Sequence, residues 1–238
     1  MINLKRNSEG ELHITRGGNY IKDVVFSAND GLITTFAVAA GAAGAGMGSS
    51  VVIILGLANM LADGLAMALG SYLGSKSQAD FEKNSLTIEE KEIGEIPEKE
   101  REEIRNIAVK RGIPADRISE WEKIITSKKR VWVDEMMVWE LGIIPAQKSF
   151  PISHAFATFI AFVAAGFLPL IPYVFNFSIN KFYAAILATA LALFSVGSAR
   201  SWITGKNWFK SGIEMLLIGG TAAAAAYIVG LIIGGGWL

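Results

Sequence analysis

VVIILGLANMLADGLAMALGSYLG, residues 51–74, carries one charge, Asp63, in a run otherwise apolar or small. About 20 apolar helical residues cross a bilayer core of roughly 30 Å, so this stretch reads as a transmembrane helix. Asn59, Asp63, Met67 and Ser71 recur every four residues along it and Met60 falls three before Asp63, which sets these groups on one helical face. That face is polar and sulfur-bearing. An ionised carboxylate in hydrocarbon is expensive and is usually kept where it lines a path for an ion or a proton.

Four other stretches have the same character: approximately 24–46, 152–173, 181–199 and 212–234. A polar block at 75–148 separates the second span from the third. The composition agrees, since 52% hydrophobic residues and a mean hydropathy of +0.40 are too apolar for a soluble domain, while 18% charged residues must then be segregated. The expected fold class is an all-α integral membrane protein with five transmembrane helices. Its expected domains are 1–74 (N-terminal segment and spans one and two), 75–148 (a soluble helical domain) and 149–238 (spans three to five). With a cytoplasmic N-terminus, 21 of the 22 Lys and Arg residues face the cytoplasm, as the positive-inside bias requires. The C-terminus then lies on the far side.

The first span, VVFSANDGLITTFAVAAGAAGAG, holds a second charge, Asp30, between Asn29 and Gly31. Three poor helix formers within a span weaken it locally, and the carboxylate needs a partner. The Asp30 charge and a polar lead containing Glu9, Glu11 and Asp23 argue against a cleavable signal peptide. Counting helical rise from the cytoplasmic boundary puts Asp30 and Met67 at about the same depth, with Asp63 nearer the middle. Met67 alone reads as gap-filling core as readily as a ligand. Beside a carboxylate, however, its thioether suits Fe²⁺, Mn²⁺, Co²⁺ or Zn²⁺ better than Mg²⁺ or Ca²⁺. The chain has no cysteine, which excludes disulfides and thiolate sites.

The soluble block reads as three helices. One continues from span two to about Ile96, a second starts at Pro97 and ends near Gly112, and a third starts at Pro114 and ends near Lys129. VWVDEMMVWELGI, residues 131–143, is a candidate further helix. Glu89 and Glu92 are three apart, as are Glu100 and Glu103, so each pair lies on one face. Taken alone these pairs are a solvated face or a ligand set, and Met136, Met137 and Glu140 are helix packing or donors.

As a set these residues resemble the vacuolar iron transporter family, which includes plant and yeast vacuolar importers and bacterial and archaeal relatives. The similarity runs from about Tyr20 to Leu238, through NDGLITTFAVAAGAAGAG, GLANMLADGLAMALGSYL, PLIPY at 169–173 and GGTAAAAAYIVG. The chain is expected to be a member of the bacterial and archaeal type. The resemblance implies a five-span homodimer in the lipid bilayer that exchanges cytosolic Fe²⁺, and often Mn²⁺, for protons. It implies a path lined by Asp30 and Met67, with Asn59, Asp63 and Ser71 on the same face, and a cytoplasmic three-helix domain binding metal through Glu89, Glu92, Glu100, Glu103, Met136, Met137 and Glu140.

Many members carry an acidic residue where Ser71 stands, a place Asp63 would partly fill. The ferritin-like domain appended in some relatives is not expected here. The expected function is therefore metal/proton antiport, without prosthetic group, enzymatic activity or nucleic-acid partner, in the plasma membrane if the source is prokaryotic. The alternatives are a passive divalent-cation channel and a membrane-anchored carboxylate enzyme that oxidises metal. The second is weakened because neither His13 nor His154 sits three residues after a Glu, the spacing of di-iron bundles.

Overall fold

The computed structural model describes residues 3–6, 12–16, 18–144, 150–175 and 180–236. Two short strands, β1 (Asn3–Arg6) and β2 (Leu12–Arg16), pair antiparallel within the polar lead, where the sequence reading expects no element. The α-helices among the described residues are α1 (Gly18–Gly44), α2 (Ser49–Glu95), α3 (Pro97–Lys110), α4 (Ile118–Thr126), α5 (Lys129–Trp139), α6 (Pro151–Gly166), α7 (Ile171–Val174), α8 (Lys181–Thr204) and α9 (Trp208–Gly236). Five spans are long and apolar enough to cross a membrane: Ile21–Gly44, the α2 helix, Pro151–Val174, Lys181–Ser201 and Trp208–Gly234. The protein is a multi-pass membrane protein of the all-α class. Its third span is not one rod: after Gly166 the chain tightens into a 3₁₀ turn at Leu168–Leu170 and restarts as α7, with Pro169 and Pro172 each at the start of the new element.

Two compact units result, one made of Met1–Tyr72 with Ile152–Leu238 and the other of Leu73–Pro151. In the first, small residues set the helix contacts. A Cβ on Gly31 would overlap the carbonyl of Phe162, and one on Gly166 would meet Thr35 Oγ1 at 2.9 Å. Asp23 and His154 are hydrogen-bonded across the same seam. All three contacts keep one offset, so α1 and α6 lie parallel and in register. Gly64 against Phe162 and Gly56 against Leu170 place α2 antiparallel to α6. Gly219 against Ile33 and Gly234 against Ala45 lay α9 parallel to α1, and Gly197 against Ser211 with Gly219 against Leu193 lays α8 antiparallel to α9. Helices α1, α6 and α9 therefore run one way and α2 and α8 the other, and α1 begins at the same end of this unit at which α2 leaves it and α6 enters.

In the second unit, Ile93, Ile104, Ile107, Ile125, Trp132, Val133, Met136 and Met137 form one core. Arg101 stacks on Trp132 and, with Arg105, pairs with Glu122, tying α3 to α4.

Candidate metal centre

Helices α2, α3 and α5 of the second unit each bring one glutamate to a common point. Glu89 lies one turn before core residue Ile93, Glu100 one turn before Ile104, and Glu140, which caps α5, one turn after Met136. Each carboxylate thus continues the buried stripe of its own helix. One oxygen from each lies within 4.8 Å of the other two. Glu89 is 3% exposed and Glu100 1%, while Glu140 is on the solvent side.

Such an arrangement is strained without a cation. Glu89 Oε2 and both carboxylate oxygens of Glu100 have no hydrogen-bond partner among the described residues. Burial, then repulsion from Glu100, Glu92 and Glu103, pushes the Glu89 carboxyl up to about 7. Burial together with Glu103, Glu89 and Glu100 pushes Glu140 up to about 7 as well, and burial raises Glu100. Lys99, paired with Glu103 at 3.1 Å, offsets part of this repulsion at Glu89 and Glu100, while Arg105 is held by Glu122 at 3.0 Å. Buried acids of one sign with unsatisfied oxygens are stabilised by a proton or by a metal ion, and an all-carboxylate set suits a divalent cation.

Of the seven residues expected in the soluble block, three meet directly. Glu92 and Glu103 are half-buried and add to the field, Glu103 also hydrogen-bonding Glu140. Met136 and Met137 are 0% and 1% exposed and pack in the core.

In the membrane unit, Gly56, Met60, Gly64 and Ala68 form the buried face of α2, with Gly56 and Gly64 against α6. Asn59, Asp63, Met67 and Ser71 form a half-buried stripe beside it, and Leu61, Leu65, Leu69 and Leu73 an exposed one. Asp30 of α1 is half-buried and within electrostatic range of Asp63. The α1/α6 and α6/α2 registers place Asp30 at the level of Leu65, so Asp63 and Met67 bracket it, each about 3 Å along the axis. Asp63 is therefore closer to the level of Asp30 than depth counting from the helix ends implies.

The sequence reading missed the Asp23–His154 pair. His154 is 9% exposed and its Nδ1 lies 2.5 Å from Asp23 Oδ2. The signal was present, because a histidine within a span is as much in need of a partner as a carboxylate.

Comparison with known proteins bears on the chain as a whole. The model of the VIT family matches residues 21–231. Vacuolar iron transporter 1 of Eucalyptus grandis is 36% identical over 91% of this chain and 87% of its own length. Vacuolar iron transporter 1 of Arabidopsis thaliana is 34% identical over 94% and 89%, and the vacuolar iron transporter of Toxoplasma gondii 33% identical over 92% and 76%. These relatives are transporters, not enzymes. The chain belongs to the VIT family.

Proposed function

We propose that the protein moves divalent transition metal, Fe²⁺ foremost and Mn²⁺ also, out of the cytosol in exchange for protons. The observation that carries this reading is the meeting of Glu89, Glu100 and Glu140, the first two buried with oxygens that have no hydrogen-bond partner among the described residues. The Leu73–Pro151 unit, joined by Glu92 and Glu103, collects metal on the cytoplasmic side. Met136 and Met137 stand behind the carboxylates as softer donors. The metal then passes to Asp30 and Met67, with Asn59, Asp63 and Ser71 lining the same face.

One carboxylate holds a metal or a proton but not both well, so competition at Asp30 and Asp63 couples the two fluxes. The positive-inside bias supports a cytoplasmic N-terminus. The exposed leucine stripe of α2 supports a homodimer whose path lies between α1 and α2 of the two copies.

The test uses protein in vesicles with the 75–148 block outward, a metal-quenched dye and a pH dye inside. An inward-acid gradient is expected to accelerate metal entry, and metal entry to drain the gradient. Metal movement at one rate with and without the gradient, and no proton efflux, would establish a channel instead.

A further inference from the structure

Asp23 and His154 lie two helical turns toward the soluble-block end from Asp30, and nothing in the metal path uses them. Asp23 and Asp30 are seven residues apart on α1, hence on nearly one face and about 10 Å apart along the axis. The imidazole is 9% exposed, and its Nδ1 faces the Asp23 carboxylate. Between this pair and Asp30 the seam is polar. Ser27, 1% exposed, donates to the Asp23 carbonyl oxygen, and the α1/α6 register sets it opposite Thr158, 2% exposed. Thr158 Oγ1 is buried and has no hydrogen-bond partner among the described residues. An orphaned oxygen in the seam between two titratable sites is a position at which ordered water completes the bonding. One turn deeper, the backbone contact of Gly31 with Phe162 closes the seam. The Gly31 contact therefore separates this polar track from Thr35, whose buried hydroxyl, also without a partner among the described residues, lies one turn beyond it.

We propose that the Asp23–His154 pair is the proton exit of the transport cycle, a branch separate from the metal entry at Met67. The inference rests on the antiport reading. When metal displaces the proton from Asp30, the O–H bond of the carboxylic acid breaks. The proton passes along water held by Thr158 in the seam, an N–H bond forms at Nε2 of His154, and the imidazolium, held by the Asp23 carboxylate, gives the proton up to the solvent on the soluble-block side. Imidazole suits this step because its ordinary titration lies nearest neutrality. Among the described side chains at this level, the charged and titratable groups of α1 are Asp23 itself and exposed Lys22, and α6 has no other titratable residue. On α2 the register puts Tyr72 at this level, and at the same end α8 and α9 carry Arg200 and Glu214, paired at 2.7 Å.

The experiment uses the full chain in vesicles and two assays. Metal–metal exchange, Mn²⁺ inside against radioactive Fe²⁺ outside with no pH gradient, needs the metal path alone. Net Fe²⁺ uptake driven by an inward-acid gradient also needs proton exit. The wild-type protein tests antiport by itself: exchange without gradient-driven uptake would end that reading before any variant is made.

Given coupled wild-type uptake, His154→Gln is expected to keep exchange while net uptake falls about tenfold and loses its dependence on the outside pH. Asp23→Asn keeps a hydrogen-bonding group but removes the carboxylate that holds the ring. It is expected to keep exchange while net uptake falls, by less than in His154→Gln. Wild-type uptake and pH dependence in His154→Gln would overturn the proposal. So would an equal loss of exchange and uptake in both variants, which would make the pair a structural tie between α1 and α6.

Discussion

The backbone of Gly31 in α1 rests directly on the carbonyl of Phe162 in α6, with no room for a side chain between them. Asp30 is the neighbouring residue, so the close approach that Gly31 permits also positions that carboxylate.

Gly31→Ala is accordingly expected to force α1 and α6 apart and to cost about 1–3 kcal/mol, the range of overpacking. A fall in the unfolding midpoint of purified protein in detergent checks it. Gly220→Ala, where the added methyl meets nothing within 4 Å, serves as the comparison and should be neutral or stabilising.

Glu89→Gln is expected to act in opposite directions on metal-free and metal-bound protein. Removing one buried charge relieves repulsion and raises the metal-free unfolding midpoint. Removing one of three carboxylate donors weakens Mn²⁺ binding by more than about tenfold, a loss even outer-shell changes reach. Thermal shifts with and without Mn²⁺ read both effects, and a midpoint lowered in metal-free protein would contradict the repulsion argument.

The same carboxylates give a pH dependence of definite sign. Glu89 and Glu140 bind their protons more tightly when folded, at about 7 against an ordinary 4.5. Their penalty is absent below about 4.5, grows as pH rises and is complete above about 7. The metal-free Leu73–Pro151 unit should thus be more stable at pH 5.5 than at pH 8. Metal affinity should run the other way, falling as pH drops through 7 because protons compete for the same oxygens. Calorimetric titration with Mn²⁺ at several pH values, and proton release into buffers of different ionisation enthalpy, measure this.

At the membrane face, Asp30→Asn should abolish Fe²⁺ transport in vesicles while leaving the fold intact, since the ion loses its charged ligand at that level. Met67→Leu conserves volume, so its stability cost should stay below about 1.5 kcal/mol while transition-metal flux falls. Normal flux in Met67→Leu would return the residue to a packing role.

Hydrophobic runs made the five spans legible, because burying about 20 residues in hydrocarbon leaves a signal no local turn can mimic. Finer breaks were less so. PLIPY at 169–173 is apolar enough to pass for continuous helix, and only the missing amide hydrogens of Pro169 and Pro172 divide it. Spacing shows that Glu89 and Glu92 share a face; it does not show that Glu89 meets Glu140, 51 positions later, because that depends on how three helices close around one isoleucine-rich core. Asp23 and His154 escaped for a similar reason. Each alone looks like a boundary residue, and only the shared register of α1 and α6 makes them a pair.

That register carries a cost in time. The groove on α1 that receives α6 stays open until 131 further residues have been synthesised, since Asp23 meets His154 and Gly31 meets Phe162 at that one separation. At ribosomal speeds of roughly 5–20 residues per second the wait is on the order of ten seconds. Throughout it Asp23 and Asp30 lack the helix that shields them. Until then the first span, like that of any product truncated within the soluble unit, presents the α6-facing side of a carboxylate-bearing helix without its partner.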